Sequence, residues 1–175
     1  MKIALCLFGH IGGMKSKGGS LHGDVDVSRA YSSYKKMILM DNDVDVFIHS
    51  WSIDSKEELI NLYTPNDSLI EKQKDFSSAK LEDYSMKHFD TYTSYFATYK
   101  EKTVSVLQDT MMRSCSRWYS NSKSLELMSL YSKKNNISYD YVFQGRLDLL
   151  LFKKINFNEL DKKYYYSPIR SKEKG

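Results

Sequence analysis

The stretch YDYVFQGRLDLLL, residues 139–151, constrains this chain more than any other. Tyr141-Val142-Phe143 is a short apolar run of the kind that forms a strand buried on both faces. Gln144, Gly145, Arg146 and Asp148 then interrupt it, and the apolar run resumes at Leu149. A strand that stops to show an arginine and an aspartate two residues apart, then returns to the core, is presenting them to something. At the carboxyl edge of an α/β sheet that something is usually a ligand.

Two earlier runs match it. Residues 3–8 (IALCLF) read as a buried strand, and residues 44–48 (VDVFI) as another that leads into His49-Ser50-Trp51. Between them, residues 25–40 place Val27, Ala30, Tyr31, Tyr34, Met37, Ile38 and Met40 at mostly helical spacing. Asp24 or Asp26 serves as cap and Asp41-Asn42 as stop. Strand, helix, strand at this spacing is a βαβ unit, so the strands should run parallel with a right-handed crossover.

Residues 104–134 form the clearest helix. Val104, Leu107, Met111, Cys115, Trp118, Ser122, Leu125 and Met128 recur at steps of three or four and should pack on the sheet. Arg113, Ser116, Arg117, Tyr119, Ser120 and Asn121 are left to face elsewhere. Lesser elements are a helix over residues 56–63 stopped before Pro65, a third, poorer strand over 68–76, and a loop or lid with some helix over 77–103. A small helix and a last strand, Tyr164-Tyr165-Tyr166, follow residue 156. The expected fold class is α/β: a Rossmann-like, mostly parallel sheet flanked by helices, in one domain over residues 1–152. Residues 153–175 are a basic C-terminal segment holding that final strand.

Charge excludes one obvious partner. The chain carries a formal +4, but residues 153–175 contain seven Lys/Arg and three Asp/Glu, which is 7 − 3 = +4 and the whole excess. The body is neutral, so a nucleic-acid face is not expected. No apolar run approaches the length of a membrane span, and the amino terminus is too short in apolar residues for a signal peptide. A cytoplasmic location follows as the expectation, with any membrane contact peripheral. Cys6 and Cys115 are expected as free thiols.

Parallel strands end on one side of the sheet, so three segments should converge there: residues 8–13, residues 49–51 and residues 144–148. The first opens a loop containing Gly9, Gly12, Gly13, Gly18, Gly19 and Gly23, six of the eight glycines in the chain. Such a loop brings backbone N–H groups close to a phosphate, with Lys15 and Lys17 adding charge; otherwise it is a flexible surface loop. It matches neither the G-x-x-x-x-G-K-[ST] nor the G-x-G-x-x-G spacing. His49 at the edge is more often a hydrogen-bonded structural residue than a catalyst. Trp51 either stacks on a base or sugar or plugs the core.

KIALCLFGH, DVDVFIHSW, the Tyr-x-Pro segment before IEKQKDF, SRWYSNSKSLELM and YDYVFQGRLDL together resemble bacterial and viral glycosyltransferase-like proteins of surface-polysaccharide loci. The likeness runs from Met1 to about Phe152. It implies a nucleotide-diphospho-sugar transferase (GT-A-like) fold, which binds a nucleotide sugar across the carboxyl edge and passes the sugar to a saccharide acceptor. The residues it points to for the nucleotide sugar are Phe8, Gly9, His10, Gly12, Gly13, His49, Trp51, Arg117, Gln144 and Arg146. Arg146-Leu147-Asp148 sits where such enzymes carry D-x-D, so Asp148 is the expected ligand of a divalent cation, manganese or magnesium. The first carboxylate of that motif is replaced by Arg146, which is expected to orient the loop or touch the phosphates.

A leaving diphosphate gathers negative charge that a cation or an arginine clamp stabilises. Gly145 is expected to open the backbone to the nucleotide. The plainer alternative is an Arg146–Asp148 ion pair that pins the loop, and the two are not exclusive. Enzymes of this fold usually continue into a second half with the acceptor site. The competing expectation is therefore a truncated, non-catalytic nucleotide- or sugar-binding domain that works beside a partner.

Overall fold

The computed structural model describes residues 1–11, 27–76 and 100–167, with the side chains of 100–111 excepted. Its sheet has four strands: β1 (Lys2–Gly9), β2 (Asp43–Ser50), β3 (Asp67–Ile70) and β4 (Tyr141–Arg146). All pairings are parallel and the order is β3-β2-β1-β4. The three apolar runs of the sequence are thus neighbouring parallel strands, but β4 is the sheet's other edge and not buried on both faces as expected: Val142 is 46% exposed. The poorer strand expected over 68–76 is shorter and earlier, because β3 is an edge strand with only partial burial.

Alternation along β1 sends its side chains to two different layers. Ile3, Leu5 and Leu7, with Val46 and Ile48, pack against α1 (Val27–Tyr34) and α2 (Lys56–Tyr63) through Val27, Tyr34, Leu59 and Tyr63. Ala4 and Cys6, with Phe47, pack against α3 (Lys100–Asn135) through Leu125, Leu127, Met128 and Tyr131. The molecule is therefore an α/β sheet with helices on both faces. Helix α1 runs on into a π-helical turn, Lys35–Leu39, and Asn42 stops it by donating its side-chain amide to the Ile38 carbonyl at 2.7 Å. Helix α2 ends at Thr64, which adopts φ 41° just before Pro65.

Helix α3 is much longer than the strands it crosses. At 36 residues it spans about 54 Å. Ser120 lies level with the carboxyl ends of β1 and β2, where it bonds Gly9 and His49. The part of α3 before Ser120 therefore extends roughly 30 Å beyond the sheet. This corrects the expected core stripe: Trp118 is 70% exposed because it stands about 200° round the helix from the buried Ser120 and faces away from the sheet. Ser116, Ser120 and Ser124 line the inward ridge instead, and the latter two are fully buried. Leu125 and Met128 pack as expected; Val104, Leu107 and Met111 have side chains outside the described residues.

The segment after β4 returns over the α1 face. Leu151 N–H donates to Ser33 Oγ at 2.6 Å, Ile155 N–H to the Met37 carbonyl at 3.4 Å, and Phe157 is buried in the α1-side core. A single 3₁₀ turn, Phe157–Glu159, stands where a small helix was expected. The final strand does not form. Tyr164, Tyr165 and Tyr166 are 68%, 90% and 48% exposed and have no strand beside them among the described residues, so β-prone side chains alone do not make a strand there. Residues 100–103 of the expected lid belong to α3; residues 77–99, Gly12 and the rest of the glycine loop, and residues 168–175 lie outside the described residues. Cys6 is buried and Cys115 partly so, both free, and burial pushes the Cys6 thiol up to about 12. No helix among the described residues is long and apolar enough to cross a membrane.

Candidate functional site at the carboxyl edge

Strand order reverses between β1 and β4, since the chain moves outward through β2 and β3 and then returns to the other side of β1. Such a reversal leaves a crevice at the carboxyl ends, where open α/β sheets take their ligands. Phe8 stands in register with His49 on one side and Arg146 on the other. The three predicted segments therefore do end together, as far as residue 11 in the first of them.

At the β4 end, Arg146 and Asp148 form a two-pronged ion pair. Arg146 Nε donates to Asp148 Oδ1 at 2.7 Å, and Nη2 donates to Oδ2. Their side chains are 44% and 25% exposed, so the pair faces solvent at the crevice rim. The carboxylate beside it raises the guanidinium's already high pKa further. Behind them, Leu147 N–H donates to the Phe8 carbonyl at 3.1 Å, which ties the loop to the end of β1. Gln144, two residues before Arg146 on β4, donates to Asn121 of α3 at 2.7 Å. Arg117 is exposed one turn before Asn121 on α3.

Gly9 leaves β1 with φ +109°, a conformation that L side chains rarely adopt. Its carbonyl accepts from Ser50 Oγ at 3.0 Å and from Trp51 N–H at 3.4 Å. Its N–H donates to Ser120 Oγ at 3.0 Å, and the same oxygen lies 2.7 Å from His49 Nδ1. His49 is fully buried, and its Nε2 faces Glu71 Oε1 at 3.3 Å. A proton on Nε2 satisfies the carboxylate and leaves Nδ1 to accept from Ser120, an arrangement that suits the neutral Nε2–H tautomer. Burial holds the His49 pKa below its ordinary value, against the pull of Glu71. For Glu71, burial works upward, but hydrogen bonds from His49 and Tyr119 outweigh it and bring its pKa down.

Aromatic rings close the β2 side. Trp51 is only 5% exposed and stacks on Tyr119, centroids 5.4 Å apart, so it plugs the floor and leaves little face for a base or sugar. Tyr119 donates to Glu71 at 3.0 Å and accepts from Lys74 Nζ at 2.5 Å. Above this, a polar strap crosses the edge. Ser52 Oγ accepts from Ile11 N–H at 2.9 Å and lies 3.4 Å from His10 Nδ1. His10 Nε2 meets Gln73 Oε1 at 3.1 Å, and Gln73 donates to Ser116 at 2.7 Å. The β2 side is thus packed and strapped, and the rim at the end of β4 carries the Arg146–Asp148 pair.

Glu71, Gln73, Tyr119 and Ser120 belong to this edge and were not singled out as site residues from the sequence. One signal was available: Ser116, Ser120 and Ser124 repeat every four residues, a small-residue ridge that lets a helix lie close on a sheet. Gly145 changes its meaning. A Cβ there would meet the Tyr34 hydroxyl at 2.3 Å, so its bareness makes room for a core side chain and not for a nucleotide. Compared with known protein families, with curated proteins and with solved structures, the chain matches none.

Proposed function

We propose that this chain is a glycosyltransferase-like protein that holds a nucleoside-diphosphate sugar across the β1/β4 crevice and passes its sugar to a saccharide acceptor. The observation that carries the reading is the order reversal at β1/β4, with an exposed arginine fork at the end of one strand and a positive-φ glycine at the end of the other. Arg146 offers a planar donor pair that matches phosphate oxygens. Gly9 keeps the same rim clear of a side chain, since a Cβ there would meet nothing within 4 Å, while its own N–H and carbonyl are taken by Ser120, Ser50 and Trp51. A GT-A-like arrangement is the finer form of this α/β fold that the sequence motifs support.

The expected divalent cation fits these residues poorly. Asp148 is the one carboxylate at the motif position, and both of its oxygens already engage Arg146. A dication placed there would stand against the guanidinium charge. In this reading the diphosphate charge is met by Arg146, and Asp148 aims it. Binding without transfer is favoured by a separate observation: Glu71 is committed to His49 and Tyr119, and His49 is buried, so neither is placed to act as a base. Calorimetric titration with uridine- and guanosine-diphosphate sugars, with and without manganese, tests the binding. Release of free nucleoside diphosphate in the presence of saccharide acceptors separates transfer from binding alone.

A further inference from the structure

Helix α1 sends one side chain under the crevice that the sequence assigns only to the core. Tyr34 is fully buried, its ring edge-on to Phe143 and to Tyr63, with centroids 6.4 Å away in each case. Its hydroxyl donates to the carbonyl of Arg146 at 2.9 Å. It reaches that carbonyl through the notch left by Gly145, which any side chain would close. On the far side of the same carbonyl, Leu147 N–H is held by Phe8. The backbone of residues 145–147 is therefore gripped from below by α1 and from the side by β1. The ion pair it carries, Arg146 with Asp148 two residues on, stands at the rim.

We propose that Tyr34 is the positioning residue of the Arg146–Asp148 pair: its hydroxyl, seated in the Gly145 notch, sets where the guanidinium stands against the end of β1. That this placement serves a diphosphate rests on the function proposed above; the placement itself does not. The ring and the hydroxyl have separable roles. The ring fills the core between α1, α2 and β4, while the hydroxyl's hydrogen bond among the described residues goes to the backbone that carries the pair. Burial, with the nearby Asp148 charge adding to it, keeps the phenol protonated and so a donor.

Tyr34→Phe removes the oxygen and keeps the ring. In ¹⁵N-labelled protein, the Arg146 Nε–H signal, assigned by its loss in Arg146→Lys, reports the bond to Asp148. Tyr34→Phe is expected to shift that signal and speed its exchange with water, and to weaken binding of uridine or guanosine diphosphate at least fivefold by calorimetry. Tyr31→Phe, a hydroxyl removed from the same helix, should do neither. An unmoved Arg146 signal in Tyr34→Phe overturns the proposal, whatever the nucleotides do. A moved signal in a protein whose parent binds neither nucleotide upholds Tyr34 as the positioning residue and sinks the diphosphate reading instead.

Discussion

The Tyr34 hydroxyl occupies the volume that a side chain at position 145 would need: a Cβ on Gly145 would lie 2.3 Å from that oxygen and 3.1 Å from the ring carbon bearing it. The neighbours cannot simply step aside, because Tyr34 is fully buried and Phe143 crowds the same point at 3.2 Å. Overpacking of this kind costs about 1–3 kcal/mol. Gly145→Ala should therefore lower the urea midpoint by an amount in that range. Much of the loss should return in Gly145→Ala with Tyr34→Phe, since the shortest contact is to the deleted oxygen. Additive effects in this double-mutant cycle would show that the notch is not what ties the two residues together.

The buried network under Gly9 makes a second expectation. Ser120 Oγ serves both Gly9 N–H and His49 Nδ1; Ser120 and His49 are fully buried and Gly9 partly so. Ser120→Ala leaves a donor and an acceptor without partners at the junction of β1, β2 and α3. A buried group left so costs about 1–3 kcal/mol. The loss should appear as faster hydrogen exchange at the Gly9 amide as well as a lower melting temperature. A variant as stable and as well protected as the parent would mean that water replaces the hydroxyl.

The His49 network also gives stability a pH dependence with a definite sign. Burial depresses the His49 pKa from its ordinary 6.5. As pH falls through 6.5, the unfolded chain takes the proton while the folded one does not, so folding loses stability until the lower folded value is passed. Glu71, which faces His49 together with Lys74 and Lys123, has its own pKa lowered and adds a further loss only at more acid pH. Urea midpoints should drop between pH 7 and 5 for the parent. In His49→Gln, weaker at every pH, that part of the slope should be missing; an equally steep slope would assign it to other groups.

How far the chain was legible depended on what each segment is buried by. β1, β2 and β4 each carry a run of apolar residues, and Cys6, Phe47 and Leu5 have no exposure at all. β3 sits at the edge with no apolar run to betray it, so only its neighbourhood was found. Helix α3 was plain as a helix but not as a face. Hydrophobicity pointed to Trp118, whereas close approach to the sheet selected Ser120 and Ser124, which leaves Trp118 on the outward side of the helix. Arg146 and Asp148 stood out because charge within a strand needs a reason, and their mutual pairing is one that two residues at i and i+2 can supply locally. The contributions of Glu71 and Tyr34 come from contacts across 48 and 112 residues of chain, to Tyr119 and Arg146. No local pattern encodes those.

The pair at the rim separates two ways of meeting a diphosphate. Where Asp148 holds a cation, Asp148→Asn removes the ligand charge, and the manganese-dependent part of nucleotide-sugar binding should vanish while Arg146→Lys does little. Where Arg146 meets the phosphates and Asp148 aims it, the ranking inverts. Arg146→Lys keeps a cation but loses the planar fork, so a loss of about one bidentate contact is expected. At about 1.5–3 kcal/mol for a hydrogen bond to a charged group, that is roughly a tenfold to hundredfold weaker affinity. Asp148→Asn should then cost less, because its side-chain oxygen still accepts from Nε, and manganese should change neither variant relative to the parent. Because the pair is exposed and bonded bidentately rather than open, the arginine-led ranking is the expected one. Titrating parent, Arg146→Lys and Asp148→Asn with uridine- and guanosine-diphosphate sugars, each with manganese or with a chelator, decides it. Loss confined to Asp148→Asn and to manganese would restore the carboxylate as the metal ligand.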